Sequence, residues 1–493
     1  MKKTFLFLAL ILSAFFAFSV FADEDKSEKK IEVTYADPLH PQAEELLAGW
    51  FKNSLDLHDL SCSVEKSILS KDSSYISNGI SFEISSGNIV FQFGDEPYIS
   101  FTPSAEISLP QIDNLKIGLT SSFDISADKS EKTVSETSLS LGADIIGNTM
   151  ETRKIALLKA ERSLLEAQRA LQNGFLSAET EFYTTLKSLY LTAAKIVDAQ
   201  KDLYEDKLSF EEIKASGYAS TSSKYRLAQM AVMSDEREVA VNQHELERET
   251  KIFASKCGLE YTGNDALDFL PSVIPEKEAV DVCSLSQDNF AETESAVWTH
   301  YINGLEREAD KAFTLAGSLG YTFDKEIKNE YKDTLDASLS LDVLNSGLSV
   351  NGGISLPIKD FNPVYSLGFS LDPNRFRLAK IEDRMDEVDS SRENVAIESS
   401  KNNYQTAVIA QMSELSDILW STKTDAEGLE MYTQLEKDQQ GYFDRGLITE
   451  SELRTVQVNK ENYRIQSIID KLNLIIYNNE TLSMFTRDEE LKK

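Results

Sequence analysis

The sequence predicts an α+β chain built twice over, each half running helix, alternating strands, a very long helix, a turn and a returning helix. Three observations predict it. Residues 149–216 and 376–445 are free of Pro and rich in Ala, Leu, Glu, Lys and Gln, the strongest helix formers. At ~1.5 Å per residue each stretch reaches roughly 100 Å, more than a globular domain needs. Each stops at a Gly followed by hydroxyl-rich residues, and the two glycines, Gly217 and Gly446, stand 229 residues apart. At that offset Leu186 meets Leu415, Leu189 meets Ile418, Val197 meets Ala426, Leu203 meets Tyr432 and Ile213 meets Tyr442. A seam preserved at one offset marks an internal duplication. Ahead of each rod, apolar and polar residues alternate at period two through several runs, the pattern of strands with one apolar face.

In order along the chain, residues 1–22 place Lys2 and Lys3 before an apolar run and end Val-Phe-Ala ahead of Asp-Glu-Asp. This is the pattern of a secretory signal peptide, with a retained anchor as the alternative. No Cys follows the run, so lipidation is not expected. Residues 23–38 form an acidic, unstructured N-terminus. Loss of the signal leaves 48 basic against 82 acidic residues, a net charge of −34. That balance argues against nucleic acid and anionic lipid as partners and suits a soluble exterior or an aqueous passage that prefers cations. The three cysteines, Cys62, Cys257 and Cys283, form no disulfide framework, although one bridge stays open. No later run of ~20 apolar residues is long enough for a membrane helix.

The first repeat is expected over 39–256. A short amphipathic helix occupies about 40–60, and strands lie within about 80–146: Ile80 to Ile84, Ile99 to Leu109, Leu115 to Ile125 and Leu139 to Ile145. The long helix follows at about 149–216 and the return helix at about 223–256. The long helix carries a seam of Leu157, Leu164, Ala167, Leu171, Leu186, Leu189, Ala193, Val197 and Leu203, whose steps of three, four and seven mark lengthwise packing. Residues 257–286 connect the halves. The second repeat spans 287–486, with a helix at about 287–311, strands within about 313–372, a long helix at about 376–445 and a return helix at about 450–486. Residues 487–493 are a charged tail. Glu-Ile-Ser-Leu-Pro at 106–110 recurs as Gly-Ile-Ser-Leu-Pro at 353–357, an echo between the two sets of strands. Large apolar residues on one strand face and small or hydroxyl residues on the other fit a barrel with lipid outside and water inside. A β-sandwich core reads the same way. A secreted chain of such strands feeding two rods favours a barrel set in an outer membrane, with its helices reaching back across the periplasm. Lipid then demands closure, because an open edge leaves backbone groups unpaired.

The layout and the turns Ser-Gly-Tyr-Ala-Ser-Thr-Ser-Ser at 216–223 and Arg-Gly-Leu-Ile-Thr-Glu-Ser-Glu-Leu at 445–453 resemble the TolC-like outer-membrane efflux family. The resemblance covers nearly all of the chain after the signal. It implies a homotrimer with four strands per protomer in a twelve-stranded outer-membrane β-barrel, continuous with a long periplasmic α-helical barrel. The chain would be the channel of a tripartite efflux or type I secretion system, a passive duct working with a periplasmic adaptor protein and an inner-membrane pump. Under the resemblance the helical turns, Gly217, Tyr218, Ser220 and Thr221 with Gly446, Leu447, Ile448 and Thr449, are the adaptor-docking tips. The family closes its periplasmic end with acidic residues after the second turn. Glu452 is the matching position here, with Glu450 as a weaker neighbour. Thr455 and Ser223 stand where the family carries or can carry acids, so half of the signature is missing. A carboxylate at Glu452 equally suits the first turn of a helix.

The chain departs from the family in its strands, with three or four candidates per repeat where the family uses two. The surplus lies in Lys66 to Phe93 and in the strand before the first rod. If every candidate strand were used, an eight-stranded barrel of a single chain is an alternative. Enzymatic chemistry is not expected. His40, His58, His244 and His300 are scattered, and neither a metal-binding nor a nucleophile motif occurs. No catalytic residue, metal or cofactor is assigned. The alternative from another class is a periplasmic structural or adhesive coiled-coil rod without transport. An adaptor protein would instead carry a single hairpin between split β domains. The cargo is not named by the sequence.

Overall fold

The computed structural model describes residues 42–92, 98–126, 132–261, 266–310, 313–325, 331–343, 345–359 and 361–487. The expected signal peptide and acidic N-terminus, His40, and the tail beyond residue 487 lie outside these residues. The described elements are α1 (Ala43–Asn53), α2 (Leu55–Ser77), β1 (Ser81–Ser85), β2 (Ile89–Gln92), β3 (Tyr98–Phe101), β4 (Ser104–Leu109), β5 (Leu115–Ser126) and β6 (Lys132–Ile146). The first long helix α3 (Thr149–Ala215) and its return α4 (Ser223–Lys256) follow. The second half comprises α5 (Ala291–Ala309), β7 (Phe313–Lys325), β8 (Tyr331–Val343), β9 (Leu348–Pro357), β10 (Val364–Leu371), α6 (Pro373–Phe443) and α7 (Glu450–Ser483).

All ten strands belong to one antiparallel sheet, ordered β1-β4-β5-β6-β7-β8-β9-β10, with β2 and β3 paired beside it. β2 continues the direction of β1, and β3 that of β4. The pairs Ser85↔Ser104 and Ile89↔Phe101 therefore belong to one long hairpin broken at 86–88 and 102–103. Pro103, which lacks an N–H for the ladder, stands at the second break. The sheet thus has eight strand rows, four from each half. This corrects the four strands per protomer implied by the family resemblance. It also gives the surplus a place: β1 and β2 form the added outer row, and the strand before the first rod is β6. Lys66 to Ser77, expected as part of that surplus, is helical and ends α2.

The register carries one apolar face across the whole sheet. Phe82 pairs with Ile107, Ile107 with Ile117, and Ile117 with Leu141. Leu141 then meets Leu319, Leu319 meets Ala337, Ala337 meets Ile354 and Ile354 meets Tyr365. The opposite face is built mainly from Ser, Thr, Gly and charged residues, as in the row Ser108, Lys116, Gly142, Ser318, Ser338, Gly353 and Ser366. The apolar face stands exposed, to 79% at Leu367 and 80% at Phe369. A sandwich would cover it with a second sheet. Among the described residues the substantial packing of every strand is with other strands.

The helices form a separate layer in the order α4, α3, α7, α6, with α1 and α2 lying on α3 and with α5 spanning α3 and α6. The main core sits midway along the rods. Trp50 of α1, Phe182, Leu186 and Leu189 of α3, Leu246 and Phe253 of α4, and Ile469, Leu472 and Ile475 of α7 are buried together. The connecting segment contributes Phe269, Leu270 and Ile274, so it is part of the core rather than a linker. The two repeats are alike in layout and unlike in burial. Leu186 and Leu189 are fully buried, whereas Leu415 and Ile418 at the matching offset are half-buried and Ala426 and Tyr442 are exposed. Helix α6, 71 residues long, buries only Ala379, Ser400, Gln411 and Gly428.

Several boundaries differ from expectation for local reasons. Ser54 breaks the expected short helix and caps α2 by accepting from Leu57 N at 3.3 Å. Asp372 caps α6 by accepting from Asn374 N at 3.0 Å, with Pro373 in the first turn, so the rod begins three residues before 376. Residues 287–289 form a 3-10 turn that Ser286 caps, and α5 starts only at Ala291. All three cysteines are free, which closes the option of a bridge.

Candidate functional site

The two hairpin ends stand at the free end of the helical layer. Gly217 and Gly446 both take a left-handed backbone, with φ of 75° and 70°. That conformation strains any residue with a Cβ. At the second tip Gly446 N donates to Phe443 O at 2.8 Å and Leu447 N to Tyr442 O at 2.9 Å. This pair of bonds satisfies the last carbonyls of α6 in a Schellman motif. At the first tip Gly217 N donates to Lys214 O at 3.0 Å. The returning helices are capped by hydroxyls: Ser222 accepts from Tyr225 N at 3.3 Å and Thr449 from Glu452 N at 3.3 Å.

The expected tip residues are solvent-facing. Gly217, Tyr218, Ser220, Thr221, Gly446, Leu447 and Thr449 are exposed and Ile448 is half-buried. The ammonium of Lys224 lies 4.7 Å from the Tyr218 ring centre, within cation–π range. An ideal Cβ at Gly217 or Gly446 would meet nothing within 4 Å, so these glycines answer a backbone need and not a packing one.

Glu452 completes a capping box. Its Oε2 accepts from Thr449 N at 2.8 Å and from Thr449 Oγ1 at 2.9 Å. These bonds, the backbone one foremost, hold the carboxyl below its ordinary value. Glu450 is exposed, and the Arg454 guanidinium lies 4.3 Å from the ring centre of Tyr204 of α3, joining the start of α7 to the first rod. Thr455 spends its hydroxyl on Ser451 O at 2.9 Å.

Two charged clusters that the sequence did not single out hold α5 in place. Arg162 and Arg169 of α3 converge on Glu294, with Arg162 Nη2 and Arg169 Nη1 each 2.7 Å from Oε2. On the other side Arg307 grips Glu393 of α6 with two bonds, 3.0 and 2.8 Å, joined by Asn303 at 2.8 Å and His300 at 2.9 Å. Charged residues on polar helix faces are ordinarily solvated, so spacing alone did not mark these. The signal was the density of Arg and Glu on faces that two other helices also need. Among the described residues no group of three or more His, Cys, Asp or Glu is placed to hold a metal ion. His58 lies beside Cys62 at 3.4 Å, and His244 is exposed at 3.9 Å from Glu247.

No curated protein matches the chain in sequence. Solved structures that it resembles include the outer-membrane channel OprN, at 14% identity and a TM-score of 0.48, covering 94% of this chain and 98% of that one. The outer membrane protein VceC of Vibrio cholerae aligns at 12% identity and 0.45, over 89% of this chain and 95% of that one. The outer membrane channel CmeC of Campylobacter jejuni aligns at 12% and 0.45, over 91% and 88%. Two family models meet at residue 275: the TP096X N-terminal domain matches 46–275 and the TP096X C-terminal domain matches 275–488. Since the two together span nearly the whole chain, it belongs to the TP096X family.

Proposed function

We propose that the chain is a passive duct of the outer membrane. Its strands form the wall of a water-filled barrel, and its helical hairpins form a periplasmic tunnel that meets an adaptor protein and an inner-membrane pump. The observation that carries this reading is the sheet. One largely apolar face crosses all eight strand rows, uncovered, while the other face is small, hydroxylic and charged. Its two outer rows, β1 and β10, each pair on one side only. In lipid such edges must pair, because hydrocarbon offers backbone groups no other partner. The partner is a second copy of the chain. Helix α6 supports this with an exposed seam of Leu378, Ile381, Met385, Val388, Val395, Ile409 and Trp420, all at heptad positions.

A homotrimer closes such a barrel with about twenty-four strands, inside the range of outer-membrane barrels. The tips around Gly217 and Gly446 would be the adaptor-docking surface, with Tyr218, Ser220, Thr221, Leu447, Ile448 and Thr449 as the contact residues. Glu452, with Glu450 beside it, would ring the periplasmic constriction. The capping box supports the competing role at Glu452, which needs no ring. The alternative of a periplasmic rod without transport finds no use for the uncovered apolar face, since soluble proteins rarely expose so large a patch.

Planar-bilayer recording of the purified, detergent-extracted chain tests the duct. Long-lived conductance steps support it. A protein that extracts without detergent and conducts nothing overturns it. Replacing Glu452 by Gln weakens block by added multivalent cations if the ring exists; unchanged block leaves only the capping role.

A further inference from the structure

One buried polar cluster lies outside the tips, the barrel and the α5 clusters. Ser421 and Asp425 stand one turn apart on α6, and Gln466 and Asp470 one turn apart on α7, facing them across the hairpin seam. Asp470 is 1% exposed. Ser421 Oγ lies 3.2 Å from Asp425 Oδ2 and 3.1 Å from Asp470 Oδ1, and Gln466 Nε2 donates to Asp470 Oδ1 at 3.4 Å. Asp470 Oδ2 is buried with no hydrogen-bond partner among the described residues.

The proton count does not close with two ionised carboxylates. A serine hydroxyl carries one proton, so Ser421 can donate to Asp425 or to Asp470, not to both. The remaining contact would then set lone pair against lone pair, beside a bare buried oxygen. One added proton resolves the clash and removes one of the two charges beside the bare oxygen. A protonated carboxyl donates where Ser421 cannot, and the second carboxylate accepts.

We propose that Asp470 and Asp425 form a proton-binding site, sharing one proton across the α6–α7 seam and fastening the two helices while it is occupied. Burial first, then the charge of Asp425, push the Asp470 carboxyl up to about 6, against bonds from Ser421 and Gln466 that pull it down. The cations of the packed elements are engaged elsewhere. Lys423 of α6 faces Glu427 at 3.9 Å, Lys471 of α7 is held by Glu276 at 2.9 Å, and Arg464 by Glu461 at 2.6 Å. On α3, Lys187 acts on Glu480 and Tyr190 gives its hydroxyl to Pro271 O, while Leu186, Leu189 and Ala193 pack with Ile469 and Leu472.

The site matters because α6 buries few of its own side chains. Its other side-chain bonds to α7 are scattered: Thr481 on Gln411 at 2.7 Å, Lys460 on Glu436 at 2.6 Å, and Tyr432 stacked on Tyr463 at 5.3 Å. A carboxyl whose value is raised in the folded chain stabilises it when protonated and loses that contribution as pH climbs through the raised value. The seam is therefore tightest in acid and loosens as pH climbs toward and through about 6. The site belongs to the single chain and holds whether or not the chain is a duct.

Hydrogen exchange of the full-length folded protein tests it, read between pH 5 and 8 after correction for intrinsic exchange. Peptides over 415–430 and 463–475 are compared with the apolar reference 182–193. In the wild type the seam peptides should lose at least about tenfold in protection relative to the reference, the equilibrium effect of one pKa unit. Asp470→Asn keeps the shape and the bond count of the neutral acid and should hold the protected value at every pH. Asp425→Asn supplies an amide donor and removes the neighbouring charge, so it should shrink the pH-dependent loss, and it serves if the first variant fails to fold. A wild type with no pH dependence at the seam overturns the proposal, as do variants whose profile matches it.

Discussion

Substituting Glu294 by Gln should release α5 from the first rod. The carboxylate is the common acceptor of Arg162 and Arg169, whose side chains are only 7% and 12% exposed. Burial alone would raise the Glu294 carboxyl, but the two guanidinium groups hold it at about 2. Gln removes the charge and turns an amide donor toward two donors. Breaking a buried pair by removing one partner costs about 3–5 kcal/mol, because the other charge is left stranded. Arg162 keeps Glu166 at 2.7 Å and the Trp298 ring at 5.2 Å, which places the expected loss at the low end, near 3 kcal/mol. Lys159 and Glu306 join the same two helices at 2.5 Å, but their side chains are 51% and 45% exposed. Glu306→Gln should therefore cost less than about 1 kcal/mol. Denaturant unfolding of the detergent-solubilised chain, followed by circular dichroism and by exchange of residues 291–309, reads both. Equal losses from the two substitutions would refute the claim that burial, rather than the presence of an ion pair, sets the strength of this joint.

Acid should act on both anchors of α5. The Glu393 carboxyl, bonded first by Arg307, is also held at about 2. The contribution of both carboxylates is present above the ordinary carboxylate value and is lost as pH falls from about 4.5 toward 2, so exchange of α5 should rise in that window and rise earlier in Glu393→Gln. Gly446→Val should strain only the tip backbone, by roughly 1–2 kcal/mol, leaving assembly intact while export is lost if the tip docks a partner. Gly428→Ala, by contrast, would drive a Cβ into the ring of Tyr463 and should weaken the α6–α7 seam itself, by about 1–3 kcal/mol. Thr449→Ala, which removes the cap of α7, should cost about 1 kcal/mol with exchange rising only over the first turn after 449.

Much of this fold was legible because its periods are clean. The second-half strands alternate strictly, and β7 to β10 fall within a few residues of the runs read from them. The Gly turns were legible for a physical reason: a helix stop with positive φ leaves Gly, and a hydroxyl cap must follow. Helix α2 was not legible, because Leu55 to Ser77 is rich in Ser, Lys and Asp and buries only Leu57 and Val64. Its signal sat elsewhere, in Gly174 of the first rod, where a Cβ would lie 3.3 Å from Leu57 and closer still to Leu60. The weak burial of α6 was hidden for the opposite reason. Its Leu415, Ile418 and Tyr432 match Leu186, Leu189 and Leu203 of α3 at the 229-residue offset, and the sequence does not say whether such a seam faces its own chain or another. Glu294 and Asp470 were missed because their partners lie far off in sequence, and a carboxylate on a helix reads the same whether solvated or buried. At Glu452 the sequence offered two roles, and the capping box is the one the single chain displays.

The proposed duct depends on the open sheet closing through other copies of the chain. Cysteines placed one at a time along β1 (Ser81, Glu83, Ser85) and β10 (Ser366, Gly368, Ser370), in a background lacking Cys62, Cys257 and Cys283, test it directly. Pairwise oxidation in outer-membrane preparations should give a register-dependent set of cross-links between chains, running as dimers and trimers on denaturing gels. Cross-links confined within one chain, or none at any pairing, would contradict it.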